Sequence, residues 1–197
     1  MYKEGNSSSL IFGVATNDLR EHRTKWKDED GITRRCPFYI KWHSMIRRCY
    51  SEVNLVNNSA YAGCFVDKDW LTFSNFKSWM ERQDWVGKEL DKDIYGCGKC
   101  YSPANCTFVS KRLNTFLTRV YSCNGGTDFH IKTNKWRSRC CNPLTNKNEH
   151  LGLFSNETDA KDSWRTRKCQ LAEELMSETG ELHMLSNVLR VIQQSKQ

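Results

Sequence analysis

Long apolar runs are missing from this chain. No uncharged stretch in its 197 residues approaches the roughly 20 that a membrane helix needs. No apolar segment follows Met1 in the manner of a secretory leader. The first absence excludes a helical membrane span. The second sets the expectation of a soluble, cytoplasmic protein with no membrane partner. Acidic residues are also in short supply, with 23 Asp and Glu against 30 Lys and Arg, for a net charge of +7. That excess permits a polyanionic partner without requiring one. Cysteine is abundant, at 10 residues. In a chain without a secretory leader these read as buried thiols or metal ligands, not as a disulfide framework. A mean hydropathy of −0.72 with 7 Trp, 7 Tyr and 9 Phe describes a polar surface over aromatic cores, which excludes general disorder.

The charge is uneven. Residues 1–50 carry +4, 51–100 carry −2, 101–150 carry +6 and 151–197 carry −1. The +6 stretch interleaves its cations with Tyr121, Phe129 and Trp136, so they belong to folded elements instead of a solvated basic run.

Residues 1–35 show little periodicity and read as an N-terminal arm. From Pro37, the positions Phe38, Trp42, Met45, Ile46 and Cys49 recur at helical spacing, with the proline suited to a first turn. The Asn54–Asn58 run reads as a loop and Cys64–Val66 as a short extended piece. Phe73, Phe76, Trp79 and Met80 form an aromatic stripe that reads as core. Glu89–Tyr95 and Lys99–Tyr101, either side of a glycine-containing turn, read as a hairpin. After an extended Cys106–Val109, Ser110 is placed to cap a helix from Lys111 to about Tyr121, with Leu113, Phe116, Leu117 and Val120 inward. Beyond a linker at Cys123–Gly126, three strand-like pieces (129–132, 136–140, 150–154) precede a helix from about Glu157 to Met176. Ala160, Trp164, Leu171 and Leu175 lie on its buried side, and Ser155 or Asn156 can cap it. The domain expectation is an arm over 1–35, a module over 36–122, a second over 123–178, and a tail over 179–197 that is a candidate helix.

Cutting a phosphodiester with one divalent metal needs oxygen ligands, a base and a rigid mount. Asp91 at a strand end and Asn114 on the following helix could supply oxygens to Mg²⁺ or Mn²⁺, while Asn105 could brace the intervening loop through its backbone. Cys97 and Cys100 have the spacing of a zinc knuckle, so structural Zn²⁺ is a second possibility, although no second pair is evident.

The run Leu90-Asp91-Lys92-Asp93-Ile94, then Tyr101-Ser102-Pro103-Ala104-Asn105-Cys106-Thr107-Phe108-Val109, then Asn114, resembles the ββα-metal (HNH) endonucleases, and within them phage homing-endonuclease-like proteins. The upstream Trp42–Tyr50, Gly63-Cys64 and Trp70–Phe76 segments are similar to those proteins too. The resemblance spans roughly residues 36–120 and implies metal-dependent cleavage of double-stranded DNA. It makes Asp91 and Asn114 the metal ligands and Asn105 the bracing residue. One position departs: where the family usually carries a His general base, this chain has Lys92. An ordinary lysine is a poor base at neutral pH. Lys92 could instead clamp the scissile phosphate, and three readings follow: slow or nicking-type cleavage with another base, for which His43 is a candidate, cleavage with a tuned Lys92, or a degenerate fold that only binds DNA.

Residues 128–172 resemble the ethylene-response-factor (Apetala-type) DNA-binding domain through Lys135-Trp136, Leu151-Gly152-Leu153-Phe154, and Thr158-Asp159-Ala160 with Trp164. His150 stands where that family usually has a tryptophan. The resemblance implies a three-stranded sheet that enters the major groove. With Trp136, Ser138 and Cys140 inward, strand alternation turns Arg137 and Arg139 outward with Asn148 and His150, and leaves Lys132 and Lys135 near the turn. The fold expectation is α+β: a ββα-metal core plus a small three-stranded sheet with one helix.

Overall fold

The computed structural model describes residues 10–96, 98–122 and 126–195, a mixed α+β chain with small sheets. The chain divides into two units, one built from residues up to 85 with 95–107, the other from 86–94 with 108–197. No helix among the described residues is long and apolar enough to cross a membrane. All described cysteines are free thiols.

In the first unit, β1 (Lys25–Lys27) and β2 (Thr33–Arg35) form an antiparallel hairpin inside what reads as an irregular arm. All six strand residues are exposed, so no apolar alternation betrays them. Asp28 closes the turn by accepting the Ile32 N–H at 2.8 Å and pairing with Arg34. Helix α1 (Pro37–Tyr50) buries Trp42, Met45, Ile46 and Cys49 as its periodicity predicts. The Trp42 indole donates to the Trp70 carbonyl at 2.7 Å, satisfying its one polar atom in the core. Helix α2 (Glu52–Asn57) replaces the expected loop, because Ser51 accepts the Asn54 N–H and caps it. Strand β3 (Phe65–Val66) leads through a 3₁₀ turn to α3 (Phe73–Met80), whose four predicted core residues are buried. Trp70 packs on Trp79 and edge-on to Phe76, with ring centroids 4.5 and 5.1 Å apart.

Strand β4 (Lys88–Asp91) does not pair with the 99–101 segment, although the glycine-containing turn between them suggests it. That segment, β5 (Cys100–Tyr101), runs parallel to β3, with Phe65 opposite Cys100. The partner of β4 is β6 (Thr107–Ser110), which runs directly into α4 (Lys111–Ser122). The second unit thus opens with a strand pair followed by a helix. Leu113, Phe116, Leu117 and Val120 of α4 enter its core.

Antiparallel strands β7 (Thr127–His130), β8 (Lys135–Cys141) and β9 (Asn148–Phe154) follow in that order, with a bulge at Leu151. Helix α5 (Glu157–Thr179) covers one face and is capped by Asn156, which accepts the Asp159 N–H at 2.9 Å. Gly126 permits this approach. A Cβ there would stand 2.1 Å from Trp164 and 2.3 Å from the Arg139 carbonyl, at a φ of +59°. The tail forms α6 (Leu185–Gln194), and Val188, Val191 and Ile192 join the same core as α4 and α5.

Candidate functional site

Asp91 ends β4 with 6% of its surface exposed. Its Oδ1 accepts the N–H groups of Asp93 and Ile94 at 2.8 and 2.9 Å, so the side chain folds the turn that follows it. Burial, and then the neighbouring Asp93 carboxylate, push the Asp91 carboxyl above its usual range, while the two backbone bonds and Lys92 pull it down. Lys92 is buried and holds Asp93 Oδ1 at 2.6 Å. An ammonium in that position presents donors and no lone pair.

Tyr121, in the last turn of α4, belongs to the same cluster. Its phenol is held well above its ordinary value, first by burial and then by the charges of Asp93 and Asp91. Asn114 occupies the first turn of α4, half-buried, and its side-chain amide makes no hydrogen bond among the described residues. Residues seven apart share a helix face, so Asn114 lies on the Tyr121 stripe, about 10.5 Å along the axis. Asp91, Lys92, Asp93, Asn114 and Tyr121 therefore belong to one unit. Asn105 belongs to the other, where its side chain donates to the Cys100 carbonyl at 3.3 Å and its N–H reaches Ser102. His43, also in the first unit, is half-buried between Phe12 and Tyr39, and burial lowers its pKa before Arg47 does.

Cys97 lies outside the described residues, and Cys100 is partly buried. No group of three or more His, Cys, Asp or Glu poised to hold a metal occurs among the described residues.

On the sheet, Ser138 and Cys140 are buried against α5 and Trp136 is half-buried edge-on to Phe129. The opposite face carries Arg137 and Arg139, with His150 paired to Arg139 and Asn148 to Cys141 across β9. Lys135 pairs with His130, and Lys132 is exposed in the connecting 3₁₀ turn. Register also brings Asp128 opposite Arg137. Its carboxylate takes Arg137 at 2.6 Å and Arg139 at 2.9 Å, and these contacts, Arg137's above all, hold Asp128 below the usual carboxylate range. The two candidate reading arginines thus share one acid, nine and eleven residues away in sequence. On the helix side, Glu149 accepts Arg167 at 2.7 Å and Asn142 at 2.7 Å, and is drawn down to about 2.

Sequence reasoning misses Asp93, Tyr121 and Asp128. Asp93 sits inside the Leu90–Ile94 run, and only its two-residue distance from Asp91 could flag it. Strand register alone could reveal Asp128. No protein-family model, curated protein or solved structure matches this chain.

Proposed function

We propose that the chain is a metal-dependent endonuclease acting on double-stranded DNA, with a ββα-metal core at β4, β6 and α4 and a duplex-reading face on β7–β9. The observation that carries this reading is the buried Asp91 at a strand end, beside a second carboxylate, in a strand pair that runs into the helix bearing Asn114. The donor set is all oxygen, which suits Mg²⁺ or Mn²⁺. The raised Asp91 carboxyl and its repulsion with Asp93 are what a divalent cation would relieve. Asp91 and Asn114 would hold the ion, which when bound supplies charge neutralisation and an activated water. Asp91 keeps Oδ2 for that role, since Oδ1 is engaged by the turn. Lys92 serves as a cation for the scissile phosphate or the charge developing on it, not as the proton acceptor. Arg137 and Arg139 contact guanine edges or phosphates, with Lys132, Lys135, Asn148 and His150 around them.

A second reading, a DNA-binding protein without cleavage, is favoured by a specific observation: Lys92 is committed to Asp93 and half of Asp91 to its own backbone turn. A plasmid-nicking assay with Mg²⁺ and with Mn²⁺ separates the two. Asp91→Asn keeps an acceptor for the turn, and Asn114→Ala removes a side chain that makes no hydrogen bond among the described residues. Metal-dependent nicking lost in both variants supports the endonuclease; duplex binding without nicking in any metal hands the chain to the second reading.

A further inference from the structure

Lys168 is the least expected residue of the second unit. It occupies the buried stripe of α5 with 2% of its surface exposed. Its ammonium lies 4.5 Å above the Phe116 ring and 5.7 Å from that of Trp164, and its one hydrogen bond among the described residues is a long 3.4 Å contact to the Cys141 carbonyl. No carboxylate pairs with it among the described residues. The acid that feels its charge, Glu149, is already held by Arg167 and Asn142. A buried cation without a counter-charge is costly unless something anionic completes it.

The space beside it fits that requirement. Lys168, Arg119 and Cys141 line two adjoining hollows of about 240 and 370 Å³. The smaller is walled by Lys111, Arg112 and Asn146, with no acidic residue in its lining. The larger is bordered by Arg139 and Asn148, and by Asp128, which is already occupied with two arginines. Arg119 is steered toward the hollow by a 2.9 Å contact from Nη1 to the Cys141 sulfur. Arg112 is turned to Glu178, so the positive charge facing the hollow comes from Lys111, Arg119 and Lys168.

We propose that the smaller hollow is a phosphate-binding pocket, with the Lys168 ammonium at its floor and Arg119 and Lys111 at its sides. The phosphate is either free or carried on a polynucleotide backbone. The proposal stands on the pocket alone and does not need the cleavage reading. It uses none of Asp91, Lys92 or Asn114.

The test is a titration of the full chain with inorganic phosphate against chloride at matched ionic strength, followed by amide NMR shifts at Cys141, Asn146 and Lys168 and by thermal melting. Saturable shifts at those amides and a rising melting temperature are expected. Lys168→Met should weaken phosphate binding at least roughly tenfold, the loss of a charge-assisted contact. The same variant should melt higher than the wild type in chloride, because the unpaired charge is gone. Lys111→Gln, at an exposed position, gives the same loss of phosphate response if the Met variant does not fold. No saturable response in the wild type, or an undiminished one in both variants, overturns the pocket. A short duplex supplies the second arm. If inorganic phosphate competes with it and Lys168→Met weakens it, the phosphate is that of a backbone. If duplex affinity is unchanged while inorganic phosphate binding is lost, the ligand is free phosphate.

Discussion

Replacing Glu181 by alanine should loosen α4 from its first turn. Glu181 follows the Gly180 cap of α5 and is 1% exposed. Both its oxygens are spent on one residue: Oε1 accepts the Ser110 N–H at 2.6 Å and Oε2 the Ser110 hydroxyl at 2.7 Å. Ser110 Oγ in turn accepts the Leu113 N–H at 3.1 Å, so a buried acid from the C-terminal segment locks the capping residue of α4. A hydrogen bond to a charged group contributes about 1.5–3 kcal/mol, and a buried donor left unpaired costs about 1–3 kcal/mol. Glu181→Ala forfeits two such bonds and strands the Ser110 N–H, so a loss of about 3 kcal/mol is expected once partial rehydration of Ser110 offsets part of the sum. With a urea m-value of about 1–3 kcal/mol/M, the midpoint falls by roughly 1–3 M. Glu181→Gln keeps one acceptor and should lose about half as much. Urea denaturation read together with amide exchange at Ser110 and Leu113 checks this. Both amides should exchange faster in the Ala variant. A stability within about 0.5 kcal/mol of wild type, the range of a surface substitution, with unchanged exchange at both amides, would refute the reasoning.

Two further outcomes follow from the ion pairs of the sheet. Asp128→Asn releases Arg137 and Arg139 and raises the net charge of the β7–β9 face by one. On the DNA-binding reading, the plot of log affinity against log salt for a random duplex should steepen by about 0.9 for each phosphate gained; an unchanged slope means that this face does not meet DNA. Glu149 sets an acid limit. The fold draws its carboxyl from 4.5 down to about 2, Arg167 being the main cause, so its contribution is whole above pH 4.5 and drains away as pH falls toward 2. Urea midpoints across that window should decline less steeply in Glu149→Gln than in the wild type, and parallel declines would deny Glu149 the role.

What the chain reveals of itself depends on whether a feature is local. The helices α1, α3, α4 and α5 are legible because their buried residues recur at helical spacing, and Asn156 and Ser110 announce their caps. The β1–β2 hairpin is invisible because no side chain in it is buried, and α2 because a stretch rich in asparagine forms a helix only through its Ser51 cap. Strand pairing is the larger loss. A glycine-containing turn beside Glu89–Tyr95 suggests the nearest partner, yet the Asp91 side chain ends β4, and the chain makes β5 and the Ser102–Asn105 turn before β6 pairs with it. The candidate site suffers the same way. Asp91 and Asn114 stand out by residue type, whereas Lys168 reads as surface in any helix, and its burial follows from what Phe116 and Trp164 place around it.

The partner of a basic surface is decided less by net charge than by how that charge is held. A +6 segment of free side chains would attract any polyanion with little geometric preference. Here Asp128 fixes both guanidinium groups in place on the strand, at distances that leave each with donors to spare. The arginines therefore lose less side-chain freedom when they meet a base edge or phosphate, and the shared acid lowers their attraction to a non-cognate backbone. On the DNA-binding reading, one acid in a basic segment thus shifts the face from affinity toward discrimination. The same reasoning separates it from the smaller hollow beside Lys168, where no acid stands in the lining and the charge is completed only by what binds there.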